Sequence, residues 1–418
     1  MKKHYNLFCL AFFTLILPCT SCNQPLKIEI IPQAQGTAVY GILKCEAKAT
    51  GGSGNITASF YYDTIDNSSR IEPVVAEADG LFTAAWHTTD VVNGTHTLYA
   101  VARDTTGATA QAEAIIEIYN FTRAESIPDS AIKMTPENDP HPPLLNPDLP
   151  YLRDVWEDPV PMPGPVNTAG AEDSPFITPD ADIFFFWFNG DVRKTIYEQA
   201  EDPMSGIYWT RKVNGTWTEP TRIYLTYFGK QALDGAPTMH NTTLWFCSAR
   251  AGNYRGVDMW TAELHNGRWT GWTNAGEKLN RDYEIGELHL TADGSELYFD
   301  SSREGGLGGK DIWVTRFLDN SWQQPEHLDN INTELTDGWP FVSEDGSELW
   351  FTRYGSGCPE IYRSLKHNGV WQTPEKILVS FAGEPTLDRE GNLYFVHHRW
   401  DEENNRVGEA DIYVCYRK

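Results

Sequence analysis

Residues 337–374 contain one complete structural repeat and decide the fold. The repeat runs from Asp337-Gly-Trp-Pro340 through Asp345-Gly-Ser-Glu-Leu-Trp-Phe351 and Glu360-Ile-Tyr362 to Asn368-Gly-Val-Trp371-Gln-Thr-Pro374. The Asn-Gly dipeptide favours a tight two-residue hairpin, because both positions of such a turn need a positive φ. Four strands within roughly fifty residues are typical of one blade of a β-propeller.

The same order of landmarks recurs from residue 151 onward, and the openings of the repeats indicate their number. Each opening precedes an aromatic strand such as Leu297-Tyr-Phe299. The five openings are Glu172-Asp-Ser-Pro175, Asp234-Gly-Ala-Pro237, Ile285-Gly-Glu-Leu288, Asp337-Gly-Trp-Pro340 and Ala382-Gly-Glu-Pro385. They predict an all-β, five-bladed propeller over residues 151–418, with six blades as the alternative.

The last unit lacks a closing strand, and this omission indicates how the ring closes. The unit ends at Asp411-Ile-Tyr-Val-Cys-Tyr-Arg-Lys418, whereas other units continue into Trp-x-x-Pro. The missing element occurs upstream as Trp156-Glu-Asp-Pro159. We therefore expect a strand from before the first blade to complete the last one, which leaves no unpaired strand edge in the ring.

The units resemble the WD-like propeller repeats of TolB-type periplasmic proteins. The shared pattern is Pro, an Asp-Gly turn, Leu-Tyr-Phe, Ser, Asp-Ile-Tyr and then Trp-x-x-Pro. The second unit departs from it, with a shortened turn at His240-Asn241 and a closing strand Trp269-Thr-Gly-Trp272 that lacks proline. The resemblance implies the fold and says little about function, since propellers include enzymes, binding proteins and scaffolds.

The segment before the propeller predicts a β-sandwich over residues 25–120. Short alternating runs such as Leu26-Lys-Ile-Glu-Ile-Ile31 and His96-Thr-Leu-Tyr-Ala-Val-Ala102 are separated by Gly and Asn turns. Residues 86–107 resemble the bacterial immunoglobulin-like modules of surface proteins. This implies an immunoglobulin-like spacer, with a carbohydrate-binding module as the alternative. The proline-rich residues 121–150 predict an extended linker that tucks against a domain.

The N-terminus has the features of an export signal. Lys2-Lys3 precedes a short apolar run, and small residues then lead to Cys22. The ending resembles a bacterial lipoprotein box, although Cys19 stands where that family usually has Leu. The resemblance implies a signal peptide over residues 1–21 and lipidation of Cys22. The mature chain would then be tethered to the bacterial cell envelope at the outer membrane, either periplasmic or exposed at the surface.

Charge and cysteine usage exclude several classes of partner and site. The formal net charge of −25 at pH 7 repels nucleic acid and anionic lipid, so we expect contact with a membrane through the lipid anchor alone. The remaining cysteines of the mature chain have no paired spacing, which argues against a disulfide framework and a zinc site. These are Cys45, Cys247, Cys358 and Cys415.

One acid in each opening suggests a functional site. If the proline, or Leu288 in its place, is position zero, the acids occur at −3 or at −1. Because the offsets differ by two, an extended strand would place all five on one face, toward the axial channel. These acids are Glu172, Asp234, Glu287, Asp337 and Glu384. Crowded carboxylates have raised proton affinities and often mark function, whereas the alternative is a structural role in which each acid caps amides or pairs with arginine.

Basic residues are predicted near the same end of the channel. Arg250, Arg303 and Arg399 lie four residues after a strand phenylalanine. Alternating acids and arginines would hold the hydroxyls or carboxylate of a sugar. The candidate binding residues are Asp337, Glu384, His289, Arg250, Arg303, Arg353, His397 and Arg399. No spacing matches a metal-ligand motif, so we expect no cofactor, although Ca²⁺ on several axial carboxylates is chemically sensible.

Three functions remain open. The first is binding of a glycan or an envelope protein through an acidic and aromatic axial face. The second is glycoside hydrolysis, because the chain is similar in blade number to five-bladed hydrolases of the arabinanase and fructosidase kind. That resemblance implies Glu172 or Asp173 as base or nucleophile, Asp234 as an orienting group and Glu287 as acid, although the local motifs of those families are absent. The third is a scaffold without catalysis.

Overall fold

The structure is a computed structural model that describes residues 24–31, 37–355 and 357–418. The predicted signal peptide and Cys22 lie outside the described residues. Among the described helices, none combines the length and the apolar composition needed to span a membrane. Nearly all regular structure is β-strand, which confirms the predicted all-β fold class.

The strands of the described chain alternate with short turns and few helices. The strands are β1 (Lys27–Ile30), β2 (Ile42–Thr50), β3 (Thr57–Tyr62), β4 (Arg70–Ile71), β5 (Val74–Ala76), β6 (Leu81–His87), β7 (Gly94–Arg103), β8 (Thr109–Ile118), β9 (Leu144–Leu145), β10 (Val160–Pro161), β11 (Ala171–Ile177), β12 (Ile183–Asn189), β13 (Gly206–Val213), β14 (Thr216–Trp217), β15 (Thr221–Arg222), β16 (Ala232–His240), β17 (Thr243–Arg250), β18 (Asp258–His265), β19 (Arg268–Asn274), β20 (Leu288–Leu290), β21 (Glu296–Ser301), β22 (Asp311–Leu318), β23 (Ser321–Trp322), β24 (Glu326–His327), β25 (Thr336–Val342), β26 (Glu348–Tyr354), β27 (Pro359–His367), β28 (Val370–Trp371), β29 (Glu375–Val379), β30 (Ala382–Leu387), β31 (Leu393–Asp401) and β32 (Arg406–Cys415). The helices are α1 (Arg123–Ser126), α2 (Leu152–Val155), α3 (Ile196–Glu201), three 3₁₀ turns (Asn67–Ser69, Ala78–Gly80 and Thr88–Asp90) and one π turn (Lys278–Asp282).

The first of two compact units consists mainly of residues 43–87 and 92–118, with the segment before Val39. It contains two four-stranded antiparallel sheets, ordered β1-β2-β6-β5 and β4-β3-β7-β8. Alternate residues of the central strands are buried, among them Ala47 on β2 and Leu98 on β7, because successive strand side chains point to opposite faces. This matches a β-sandwich, and its relation to immunoglobulin-like modules stays a prediction.

The second unit comprises Tyr119–Lys418 together with two short earlier segments, and it contains five antiparallel sheets. We call each sheet a blade, and the blades begin with β11, β16, β20, β25 and β30. Each of these first strands contacts the first strand of the next blade, and β30 contacts β11, so the sheets form a closed ring. The phenylalanine of each aromatic strand is buried in a blade core, as the repeat pattern requires; these are Phe186, Phe246, Phe299, Phe351 and Phe395.

An upstream strand completes the last blade. Strand β10 pairs with β32 through Val160 and Val414, and Trp156 forms a further bridge to Arg417. Trp156 is 0% exposed, and its indole N–H donates to the carbonyl of Gly391 at 3.0 Å. The predicted closure of the ring is therefore confirmed, with the pairing centred just after the Trp-x-x-Pro segment.

The segment predicted as a linker belongs to the second unit, whose long continuous part is Tyr119–Lys418. Strand β9 extends the fourth blade by pairing with β29, and Leu145 is fully buried there. Lys133 binds Asp411 at 2.5 Å. Residues 130–132 and Pro140 of this segment also line a cavity of the same unit.

Candidate functional site

A β-bulge in the first strand of four blades determines which acids reach the axis. The ladder register shifts between positions −2 and +1 in these blades. The residue at −1 has a positive φ: 48° at Ser174, 48° at Ala236, 53° at Trp339 and 55° at Glu384. A residue in this conformation interrupts the alternation of side chains. The prediction that all five acids share one strand face is therefore wrong.

Two of the acids at −3 are buried in ion pairs. Asp337 is 0% exposed and lies 2.6 Å from the Nε atom of Arg353. Asp234 is held in the same way by Arg250, whose Nη2 atom is 2.5 Å from the carboxylate. These two acids therefore pair with arginine, as the structural alternative predicted. None of the four residues of the two pairs lines the axial pocket described below.

Glu172, the third acid at −3, is also buried. It accepts hydrogen bonds from the hydroxyl and amide of Thr168 at 2.6 and 2.9 Å, and Arg123 lies 3.6 Å away. Burial raises the pKa of Glu172, although the Thr168 bonds and the charge of Arg123 oppose this. Its contacts hold blade 1 and the preceding segment together.

Three other predicted binding residues also lie off the axis. The guanidinium of Arg303 stacks 4.8 Å above the Trp313 ring. His397 is buried with its Nε2 atom 2.7 Å from Asp139. Arg399 lines a separate cavity between blades 1 and 5. Their spacing from the strand phenylalanines had predicted that they lie at the end of the axial channel.

Positions −1, 0 and +1 of all five blades line one axial pocket of about 40 Å³ that is open to solvent. One layer consists of the −1 side chains, namely Ser174, Ala236, Glu287, Trp339 and Glu384. The other layer consists of the +1 side chains, namely Phe176, Thr238, His289, Phe341 and Thr386. Of the predicted site residues, Glu287, Glu384 and His289 therefore line the axial pocket.

Asp173, at position −2 of blade 1, does not line the axial pocket but lies close enough to the two axial glutamates for its charge to raise the pKa of both. Its Oδ2 atom lies 3.5 Å from Nε2 of His398. Asp173, Glu384 and His398 each offer a ligand atom within 4.8 Å of the others, so a cation would find three donors there. The axial carboxyl cluster is thus Asp173, Glu287 and Glu384.

The pKa of Asp173 is lowered, whereas the pKa values of Glu287 and Glu384 are raised. Burial tends to raise the pKa of Asp173, but the charge of His398 and the bonds to Asp173 leave it lowered. Burial, followed by the charge of Asp300, raises the pKa of Glu287 to about 8. Burial and the neighbouring Asp173 and Glu287 charges hold the pKa of Glu384 well above its usual range. At neutral pH the cluster therefore combines an ionised Asp173 with a largely protonated Glu287, and the pKa of Glu384 is displaced in the same direction as that of Glu287.

Asp300 and Lys310, which sequence reasoning missed, position the aromatic side of the pocket. The carboxylate of Asp300 accepts a hydrogen bond from the backbone N–H of Trp339 at 3.1 Å. It also forms an ion pair with the ammonium of Lys310 at 2.9 Å. The Lys310 ammonium lies 4.8 Å above the Trp339 ring. A Cβ atom at Gly338 would lie only 2.9 Å from the Asp300 carboxylate, so the glycine permits this close approach.

A repeated contact explains how the left-handed residues at −1 are held. Thr352 follows Phe351 as Asp300 follows Phe299, and the Thr352 hydroxyl accepts the backbone N–H of Glu384 at 2.8 Å. Such backbone conformations cost about 1–3 kcal/mol in residues other than glycine and persist where neighbouring groups stabilise them. In these two blades the acceptor is the residue directly after the strand phenylalanine, a position that alignment of the repeats identifies.

His289 and the aromatic residues close the inner part of the pocket. Burial lowers the pKa of His289 to about 3, so its imidazole is neutral at physiological pH. The imidazole packs against Phe341 with ring centroids 4.4 Å apart. Tyr354, which is outside the pocket lining, packs 5.8 Å from the Trp339 ring and is exposed. The pocket therefore has an aromatic wall beside the axial carboxyl cluster.

No protein family and no curated protein matches this sequence. The chain is similar to solved structures that include TolB from Acinetobacter baumannii, with 15% identity, a TM-score of 0.37 and coverage of 78% of this chain and 77% of that one. It is also similar to an endo-arabinase from Bacteroides thetaiotaomicron, with 19% identity, a TM-score of 0.39 and coverage of 61% and 97%. A third is Bacteroides ovatus xyloglucan PUL GH43B, with 14% identity, a TM-score of 0.40 and coverage of 61% and 53%. Likenesses this weak carry no argument about function, so the site is interpreted from its own residues.

Proposed function

We propose that this chain is an exported, lipid-anchored envelope protein whose axial pocket binds a glycan. The observation that carries the proposal is the axial carboxyl cluster, Asp173, Glu287 and Glu384, beside the half-buried ring of Trp339 at the mouth of an open pocket. An envelope protein as the partner is the alternative that the binding experiment below also addresses.

The protonation states of the cluster suit hydroxyl groups. An ionised Asp173 accepts hydrogen bonds, whereas a protonated Glu287 both donates and accepts them. A sugar hydroxyl is likewise both donor and acceptor. The rings of Trp339 and Tyr354 offer apolar faces for the C–H side of a sugar ring. The net charge of −25 disfavours a polyanionic ligand.

Glycoside hydrolysis is the second candidate function, and one observation favours it. The environments of Asp173 and Glu287 push their pKa values apart, which is how paired carboxyl groups divide the roles of base and acid. In this reaction Glu287 would protonate the leaving oxygen, and Asp173 would activate water or attack the sugar. Glu172 and Asp234 take no part, because they are held in buried contacts away from the pocket.

Trp339→Ala is expected to weaken glycan binding by about tenfold or more, because buried aromatic contacts dominate binding energy. The measurement is calorimetric titration of the protein with neutral and acidic oligosaccharides, combined with an assay for released reducing ends. Glu344→Gln is the control and is expected to bind as wild type, because Glu344 pairs with Arg389 and does not line the axial pocket.

Glu287→Gln separates the two candidate functions. If the wild type cleaves a glycan and Glu287→Gln binds it without turnover, the protein is a hydrolase. If the wild type binds without turnover and Trp339→Ala binds poorly, it is a glycan-binding protein. A wild type that binds none of the glycans but captures an envelope protein would overturn both.

A further inference from the structure

A cavity of about 220 Å³, open to solvent, lies at the connection between blades 1 and 2, within the second compact unit. We call it the tyrosine pocket, because Tyr40, Tyr224 and Tyr227 line it together with Phe228. Tyr40 comes from Val39–Ile42, one of the two short earlier segments of this unit, and the other three come from the connection between β15 and β16. None of the residues that line the tyrosine pocket lines the axial pocket.

The aromatic walls of the tyrosine pocket are held in place by neighbouring groups. The backbone N–H of Phe228 donates to the carbonyl of Ile42 at 2.7 Å, which joins the two segments. The Tyr40 ring meets the Phe228 ring edge to face, with centroids 5.2 Å apart. The Tyr224 ring packs so closely on Gly41 that a Cβ atom there would lie 2.5 Å from it. Walls that are fixed before binding lose little side-chain entropy when a ligand arrives.

The hydroxyl groups of Tyr40, Tyr224 and Tyr227 have no partner within the described part of the chain. None of them forms a hydrogen bond to another described residue. The three side chains are half-buried, yet each hydroxyl oxygen remains accessible to solvent. If these side chains served packing alone, phenylalanine would fill the same space. Three accessible hydroxyl groups around one cavity therefore point to a ligand that exchanges hydrogen bonds with them.

The charge balance of the tyrosine pocket favours an uncharged ligand. Its lining contains two acidic residues, Glu201 and Asp202, and two basic residues, Arg222 and Lys230, so its formal charge is zero. The Nη2 atom of Arg222 donates to the carbonyl of Ser205 at 2.7 Å, and its Nε and Nη1 atoms are buried. This guanidinium therefore supports the wall and is not the group that meets a ligand.

An uncharged sugar ring fits this combination of aromatic faces and hydroxyl groups. The C–H side of a sugar ring packs on aromatic faces, and its hydroxyl groups both donate and accept hydrogen bonds, as tyrosine hydroxyls do. An uncharged aromatic ligand without polar groups would leave the tyrosine hydroxyls unpaired. Cavities lined by aromatic side chains with a few polar groups are the usual form of small-ligand sites.

We propose that the tyrosine pocket is a second glycan-binding site, in which the hydroxyl groups of Tyr40, Tyr224 and Tyr227 bind hydroxyl groups of an uncharged sugar. The choice of a glycan rests on the proposed function. The residues, however, are separate from those of the axial pocket, so each site fails or holds independently.

Calorimetric titration of the mature chain carrying Trp339→Ala, with neutral cello-, manno-, xylo- and arabino-oligosaccharides, isolates the tyrosine pocket. This variant weakens the axial site only, so it is expected to bind one equivalent of at least one probe. Adding Tyr40→Phe or Tyr224→Phe is expected to weaken that binding roughly two- to tenfold each, and adding both by about tenfold or more, because the ring stays while a hydrogen bond is lost. Tyr197→Phe, at an 81% exposed position of α3 outside the lining, is the matched control and is expected to leave the affinity unchanged.

Thermal unfolding keeps this test independent of folding, since the Tyr→Phe variants retain the packed rings and are expected to melt at the wild-type temperature. If Trp339→Ala binds none of the saccharides, or binds them equally well with and without Tyr40→Phe and Tyr224→Phe, the proposal is overturned. A probe whose binding Trp339→Ala abolishes and the tyrosine variants leave intact would support the axial site alone. A probe that Trp339→Ala binds as wild type and the tyrosine variants bind poorly would support the tyrosine pocket and contradict the axial site. Binding of indole without any saccharide would refute the sugar as ligand.

Discussion

Arg353→Met is expected to lower the free energy of unfolding by about 3–5 kcal/mol, because it leaves the carboxylate of Asp337 buried without a cation. Asp337 is fully buried, and among the described residues its carboxylate keeps the amide and hydroxyl of Thr333 as partners in the variant. The lost guanidinium also leaves the carbonyl of Ile331 without its donor, which is 2.6 Å away in the wild type. Urea unfolding followed by tryptophan fluorescence measures the change, since fourteen of the fifteen tryptophans follow residue 150.

Arg389→Met is the matched control for this prediction. Arg389 is 63% exposed and pairs with Glu344 at the surface, where such pairs contribute about 0–1 kcal/mol. The double variant Asp337→Asn with Arg353→Met is expected to recover much of the loss, because it removes the uncompensated charge. A loss in Arg353→Met no larger than in Arg389→Met would show that the pair does not stabilise blade 4.

The free energy of unfolding is expected to fall as the pH rises from 6.5 to 8. The pKa of Glu287 is about 8 and that of Glu409 about 7 in the folded chain, whereas an unfolded glutamate has a pKa of about 4.3. The folded state therefore binds more protons in this window, and the stabilisation present at low pH is lost as each folded pKa is passed. Each such group contributes a slope of up to about 1.4 kcal/mol per pH unit.

The window begins at pH 6.5 because His289 acts in the opposite direction below it. Burial lowers the pKa of His289 to about 3, so the unfolded state binds more protons until the pH reaches the ordinary histidine value of about 6.5. The lowered pKa values of Asp173 and Asp139 likewise cost stability only in acid, as the pH falls toward their folded values. Above pH 6.5 the raised glutamates dominate.

Glu287→Gln tests whether the pH dependence of the free energy of unfolding comes from the axial pocket. The variant is expected to show a flatter pH dependence between 6.5 and 8 and to be more stable than wild type at pH 8, since the glutamine is neutral in both states. Glu304→Gln, at an exposed position, is expected to keep the wild-type slope. Parallel curves for wild type and Glu287→Gln would contradict a raised pKa at this residue.

Much of the fold could be predicted because its signals are local. Asn-Gly at residues 368–369 has φ values of 50° and 79°, as the hairpin requires. The phenylalanine of the aromatic strand is buried in every blade, and the strand that pairs with β32 at the edge of the last blade comes from upstream, near Trp156. These features depend on turn chemistry, side-chain alternation and the need to pair a strand edge, all of which can be seen within one repeat.

The candidate site was predicted only in part. Glu287, Glu384 and His289 line the axial pocket as expected, whereas Asp234 and Asp337 pair with arginines that the sequence had also assigned to binding. The error came from treating the opening of each blade as a regular strand. Ser, Ala, Trp and Glu rarely adopt a positive φ, so nothing in their identity indicated the bulge.

The sequence by itself determined the repeated β-units, their order, their buried aromatic residues and the closure of the ring, because these follow from local pattern. The tertiary structure alone decided which carboxyl groups face the axis. The side chains of Asp300 and Thr352 in one blade accept the backbone N–H groups of Trp339 and Glu384 in the next, and these contacts between blades stabilise the left-handed conformation. That conformation separates the acids at −3, buried with arginines, from the axial carboxyl cluster.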